Sequence, residues 1–236
     1  MMKNLQDLKL NDASYGVHQF KFRKKLKKFT FFSLTVMLMF FSLGSSASHI
    51  RYLNLTWRPV SGRTVEFKFS YAQAGTASVG QQLNFGINTG AGSVTIPTRV
   101  TSNNTAENYF YAEGTALYTY PANGNYTAAF STCCRIFGMV NNSSGSVYVG
   151  TTVNVGTGNS SPIATLPPVV NVSRGVLATF TLPANDPDGD ALSYRLATPS
   201  EMGGGSQPAG LSVNSSTGLV TFNTTNASIG QLYSAA

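Results

Sequence analysis

Thr64-Val-Glu-Phe-Lys-Phe-Ser-Tyr71 is the stretch on which the fold class turns. Val65, Phe67, Phe69 and Tyr71 alternate with Thr64, Glu66, Lys68 and Ser70. A period of two puts one set on each face of a strand. One face is therefore buried and the other wet, the pattern of an antiparallel sheet packed on a core from one side. Upstream, residues 50–57 read as a partner strand, with Arg58-Pro-Val-Ser-Gly62 as the turn of a hairpin. Trp57, the only tryptophan, belongs to the core of that hairpin, where its large apolar ring is best placed.

Outward from the hairpin, further strand candidates are residues 82–87, 93–100, 106–111, 116–120, 126–136 and 146–155. Turn clusters separate them: Asn88-Thr-Gly90 and residues 101–105, 121–125 and 141–145. After position 48 no segment of ten or more residues carries a 3.6-residue apolar period, and Gly, Ser, Thr, Asn, Val and Tyr dominate. The chain reads as all-β, opening with a β-sandwich over residues 48–157. Gly156-Thr-Gly-Asn-Ser-Ser-Pro162 is a polar linker, and Pro167-Pro168 stiffens the start of a second unit, residues 158–236. Its short strands are expected at residues 169–172, 176–182, 191–196, 211–213 and 219–222.

The net charge of +7 invites a nucleic-acid reading, so its location matters. Residues 1–47 hold eight basic groups against two acidic ones, which is +6 of the +7. The remainder is nearly neutral, and a nucleic-acid patch is not supported. Those first 47 residues have the three parts of a signal peptide. A basic run, Lys21 to Lys28, precedes fifteen mostly apolar residues, 29–43. Ser45 and Ala47 then occupy the −3 and −1 positions of a cut before Ser48. Fifteen residues fall short of the roughly 20 that span a bilayer, so cleavage is favoured over anchoring. The expectation is a secreted, extracellular or cell-surface protein. It would touch a membrane only through the leader or through a C-terminal anchor beyond position 236.

The most specific motif is Asn185-Asp-Pro-Asp-Gly-Asp190, followed at once by Ala191-Leu-Ser-Tyr-Arg-Leu196. Ca²⁺ takes six to eight oxygens on a chain that can curl around it. Asp186, Asp188 and Asp190 can converge on one ion if the backbone turns, and Gly189 permits that turn. An EF-hand is excluded, because the twelfth position counted from Asp186 is Ala197 and not Glu. The competing reading is a Pro/Gly turn with solvated aspartates.

Residues 161–233 resemble the cadherin-like and immunoglobulin-like (dystroglycan-type) repeats of secreted and surface proteins. The resemblance rests on Asp186-Pro-Asp-Gly-Asp-Ala-Leu-Ser-Tyr194, Pro208-Ala-Gly-Leu-Ser-Val213 and Ser216-Thr-Gly-Leu-Val-Thr-Phe222. It implies a Greek-key β-sandwich, tandem arrays, and Ca²⁺ held near module junctions by Asp186, Asp188 and Asp190. A sandwich of this type needs about seven strands and about 100 residues. Only some 75 residues follow the linker, so the second unit is expected to lack its last strand, the chain being the front of a longer protein. Residues 48–57 are also similar to the starts of some secreted multi-repeat surface proteins.

Cys133 and Cys134 are adjacent and are the only cysteines, so a loop-closing disulfide is not available. A vicinal disulfide, two reduced thiols and an intermolecular bond all remain open. Arg135 beside them could lower a thiol pKa, which alone does not make a catalytic site. His18 lies in the leader and His49 near the new N-terminus, so no mature histidine pair exists for a zinc site or an assisted nucleophile. Asn-x-Ser/Thr sequons include Asn54, Asn125, Asn171 and Asn223.

Function follows from this inventory. No Ser/His/Asp set is present, and Glu66, Glu107, Glu113 and Glu201 show no pairing, so an enzyme is not expected. The favoured reading is a non-enzymatic adhesion or structural module of a longer multi-repeat protein, with other surface proteins or glycans as partners and Ca²⁺ as cofactor. The alternative is a carbohydrate-binding or enzyme-accessory sandwich that uses Tyr109, Tyr111, Tyr118 and Tyr120 as a stacking platform.

Overall fold

Strand β1 (Ile50–Ser61) and strand β2 (Thr64–Ala74) form the hairpin, paired from Ile50 against Gln73 to Ser61 against Thr64. The computed structural model describes residues 49–236. The leader and its cleavage between Ala47 and Ser48 lie outside the described residues. The turn is tighter than the sequence suggests: only Gly62 and Arg63 lie between the strands, and β1 runs on through Pro59. Gly62 has φ 54°, which suits the first central position of a two-residue hairpin turn. Pro59 is tolerated because β1 is an edge strand and its register shifts at this point.

Five more strands complete a seven-stranded sheet in the order β1-β2-β5-β4-β3-β6-β7. They are β3 (Gln82–Asn88), β4 (Ser93–Asn104), β5 (Tyr109–Thr119), β6 (Gly124–Thr132) and β7 (Val147–Val155). Strand β4 pairs through Ser93–Arg99 with β3 and through Arg99–Asn104 with β5, with a register shift between Val100 and Ser102. A strand that changes partner at a bulge carries the sheet round a corner. The two halves then face each other as a sandwich. Phe69 of β2 meets Phe85 of β3 at 5.2 Å and Phe130 of β6 at 5.1 Å between ring centroids.

The alternation in β2 survives in detail: Val65, Phe67, Phe69 and Tyr71 are all buried. Trp57 is buried too, at 4% exposure. The outer face is not uniformly wet, because Ser70 and Ala72 are also buried. Tyr52 and Tyr111, 6.3 Å apart between centroids, occupy that side. Residues 106–111 and 116–120, expected as two strands, are one strand, β5. Gly114 reads as a break but serves close packing: a Cβ there would lie 2.2 Å from the Pro97 carbonyl oxygen.

After the linker the strands are short. β8 (Ile163–Ala164) pairs with β10 (Ala184–Asn185). β9 (Leu177–Thr181), β11 (Leu211–Val213) and β12 (Leu219–Asn223) form a three-stranded sheet in the order β11-β12-β9. A 3₁₀ turn covers Ser200–Met202. Two expected strands, residues 169–172 and 191–196, lie in no ladder. In the second, Leu192, Tyr194 and Leu196 still turn inward and Ala191, Ser193 and Arg195 outward. The periodicity is thus expressed without a partner strand to pair with. Among the described residues there is no α-helix, and the protein is all-β.

Phe67 is wholly buried between the two halves of the sandwich. Phe67→Ala is expected to cost about 3–5 kcal/mol in urea-unfolding experiments. Truncation of the exposed Leu117 is expected to fall within about 0.5 kcal/mol of wild type in the same measurement.

Candidate functional site

The features with chemical character gather where the sandwich meets the chain that follows it. Trp57 is the first fastening. Its indole Nε1–H donates to the Thr152 carbonyl of β7 at 2.8 Å. Its backbone N–H donates to Ser161 Oγ at 2.9 Å, and its carbonyl accepts from the Ser161 N–H at 3.0 Å. One residue of β1 therefore holds both the far edge strand and the linker.

The aspartate loop is the second fastening. Asp186 Oδ1 accepts the N–H of Asp188 at 2.8 Å and of Asp190 at 3.3 Å, while Gly189 takes φ 84°. This carboxylate therefore shapes the turn by bonding its own backbone. Asp188 accepts the Ser160 N–H at 2.6 Å. The carboxamide of Asn159, with its nitrogen toward the loop, donates to Asp188 Oδ2 at 3.2 Å and Asp190 Oδ2 at 3.0 Å. Asp188 and Asp190 are thus brought together on the linker, and Asp186 is turned to the backbone. Among the described residues no three His, Cys, Asp or Glu side chains stand as a metal-ligand group. Nothing in Asn159 and Ser160 marks them as partners of the aspartate loop, and sequence reasoning missed them.

Arg135 is the third fastening and was also missed as such. It is only 6% exposed, and its guanidinium donates to the carbonyls of Ser146 and Met202. Burial lowers its pKa from the ordinary arginine range. Asn142 extends the same contact, accepting the Ser206 N–H at 2.7 Å. Asn141 reaches the Ser234 carbonyl at 2.7 Å. Just upstream, the sulfurs of Cys133 and Cys134 are in contact, and the Cys134 carbonyl accepts the N–H of Ile50. Expected within a strand, this pair instead follows the end of β6.

Near Met202, Glu201 pairs with Arg195 at 2.6 Å. The guanidinium, helped by the Thr198 N–H and hydroxyl, holds the Glu201 carboxyl down at about 2. A depressed carboxyl pKa favours the folded form above the ordinary value, and that contribution fades as pH falls toward 2. The pair lies at the surface, with its side chains 65% and 40% exposed, so this affects a loop and not the core.

The four tyrosines do not make one platform. Tyr109 and Tyr111 lie on the face of β5 opposite Phe110, Ala112 and Tyr118. Tyr118 donates its hydroxyl to the Ala91 carbonyl and Tyr120 to the Thr89 carbonyl, and Tyr120 is wholly buried. Desolvation raises the Tyr120 pKa, as it does that of Tyr52, which is pushed up to about 12.

Arg135→Met is expected to lower urea-unfolding stability by about 1–3 kcal/mol for each of the two carbonyls left bare. An unchanged midpoint would show that the Ser146 and Met202 carbonyls find other partners.

The family described as "Integrin beta-like protein A-E, N-terminal" matches residues 51–156, and that described as "Putative Ig domain" matches residues 161–234. Integrin beta-like protein A of Dictyostelium discoideum is 32% identical over 224 residues, which is 81% of this chain and 11% of that protein. Integrin beta-like protein C of the same organism is 28% identical over 212 residues, 78% of this chain and 11% of that protein. Integrin beta-like protein B is 27% identical over 221 residues, 84% of this chain and 11% of that protein. No solved structure matches. The chain spans about a tenth of the length of these relatives, and over most of its own length it is similar to the integrin beta-like proteins.

Proposed function

We propose that this chain is a non-enzymatic module of the cell surface, exported by residues 1–47, cut between Ala47 and Ser48, and displayed to bind other surface proteins or glycans. The observation that carries this reading is the similarity to integrin beta-like proteins across both the sandwich and the Ig-domain segment. The fastenings at Trp57, Asp188 and Arg135 support it, since they hold the two segments in one orientation for display. In this reading residues 48–157 and 158–236 are two modules of a longer array. Relatives some nine times longer support the array. In an oxidising compartment Cys133 and Cys134 form a vicinal disulfide that keeps the Arg135 loop in place.

The test is attachment. Beads coated with the exported chain are expected to be retained on Dictyostelium discoideum cells more than beads coated with heat-unfolded chain. Equal retention would sink the adhesion reading. Selective binding on a glycan array that is lost in Tyr111→Ala would favour the carbohydrate-binding alternative.

Calcium at the Asp186–Asp190 loop is a further part of this proposal. The chain offers Asp188 Oδ2, Asp190 Oδ2 and, with its carboxamide turned over, the Asn159 oxygen. That is half of the six oxygens at the low end of the Ca²⁺ range, and the rest would be water or neighbouring chain. The cation would replace the Asn159 amide hydrogens as the group that offsets repulsion between the two carboxylates. Thermal melts are expected to rise with Ca²⁺ and fall back with chelator, and Asp190→Asn is expected to abolish the response. A midpoint blind to Ca²⁺, or an equal response in Asp190→Asn, would remove calcium from the proposal.

A further inference from the structure

Several asparagines sit in Asn-x-Ser/Thr tripeptides, and the fold treats them differently. Asn159 directs both amide hydrogens at Asp188 and Asp190, at 3.2 and 3.0 Å. Asn171 donates to Glu107 Oε1 at 2.7 Å. A sugar on either nitrogen would displace a contact to a carboxylate, and in the case of Asn159 one of those that fasten the linker. Asn125 is different. It lies near the start of β6, with Tyr126, Ala128 and Phe130 turned to the core, so alternation sends Asn125 and Thr127 outward together. Both are exposed, and among the described residues no hydrogen bond engages the Asn125 carboxamide. Asn223 is the counterpart on β12. It is exposed while Val220 and Phe222 are buried. Its Oδ1 accepts the Thr225 N–H at 3.0 Å, a bond that does not use the amide nitrogen.

We propose that Asn125 and Asn223 are N-glycosylation sites, and that Asn159 and Asn171, in the same tripeptide, stay bare in the folded protein. The inference rests on the export reading, because the donor, a lipid-diphosphate-linked oligosaccharide, is met in the secretory pathway of a eukaryotic cell. Asparagine Nδ2 attacks the anomeric carbon of that donor, and a C–N bond forms. The C–O bond to the diphosphate breaks, the lipid diphosphate leaves with the electron pair, and the amide proton passes to a base. A chain glycosylated at Asn159 could not close the contact with Asp188 and Asp190, so such copies are removed from the folded pool. A glycan on Asn125 stands at the end of β6 opposite Cys133. It shields that end and leaves the loop carrying the exposed Phe137 and Val140 open to a partner.

The full chain is expressed in eukaryotic cells, once with its own leader and once behind a leader of known efficiency. N-glycans on the secreted protein are released with an amidase that converts each occupied Asn to Asp, and peptides are read by mass spectrometry. The expected result is Asp at 125 and 223 and Asn at 159 and 171. Asn125→Gln should lose one glycan while keeping the melting midpoint of the deglycosylated wild type. Retention of the chain only when it carries its own leader would overturn the export reading and leave the glycan assignment standing. Secreted, folded protein with Asn125 and Asn223 unmodified, or with Asn159 occupied, would overturn the assignment itself.

Discussion

The structure depends most on the burial of Trp57 with all of its polar atoms satisfied. A tryptophan on an edge strand would ordinarily leave the edge open, because the backbone groups on its far side have no strand to pair with. Here the indole bonds to the carbonyl of Thr152 on β7, and the backbone N–H and C=O bond to Ser161. The far edge of the curled sheet is thereby drawn toward the near one, and the linker takes the place of a neighbouring strand for one residue. Curling is possible only because β4 turns the corner between β5 and β3, and the corner is possible only because Gly114 lets the Pro97 carbonyl pass. Each of these conditions supports the aromatic cluster of Phe69, Tyr71, Phe85 and Phe130 inside.

How much of this was legible in the sequence depends on the range of the interaction concerned. The buried face of β2 and the existence of the hairpin follow from local periodicity, and the burial of Trp57 from its large apolar ring; these appear as read, while the turn is tighter and Ser70 on the other face is buried. The extent of β5 does not. Gly114 is a strand breaker by propensity, and its use as a crossing point depends on Pro97, which is distant in the chain. Residues 191–196 fail in the opposite way. Their period of two is correct, but a ladder is a property of two segments, and among the described residues only the Tyr194 N–H finds a backbone partner along that run, at Ser215.

The candidate site divides along the same line. Three aspartates spaced by two residues suggest convergence on a cation. Asp186 is instead committed to the N–H groups of Asp188 and Asp190, because a Pro-Asp-Gly turn leaves those donors pointing back at it. The partners that do converge on Asp188 and Asp190 come from the linker, 28 positions from Asp188 in the case of Ser160. Nothing in the tripeptide Asn159-Ser160-Ser161 announces that role. Arg135 was noticed only as a neighbour of two thiols. Its place in the fold is set by the Met202 carbonyl, 67 positions later.

The attachment of the linker to β1 also decides where a pull on the molecule would be felt. Between Ile50 and Ser161 the chain winds through six further strands, yet the bonded route is short: along β1 to Trp57, then across its hydrogen bonds to Ser161. Tension entering at the N-terminal end and leaving through the linker runs along the first half of one strand, clamped lengthwise by β2 in shear. Strands β3 to β6, with the corner, lie off that load path. The sandwich is hung beside the line of force and does not form a link in it.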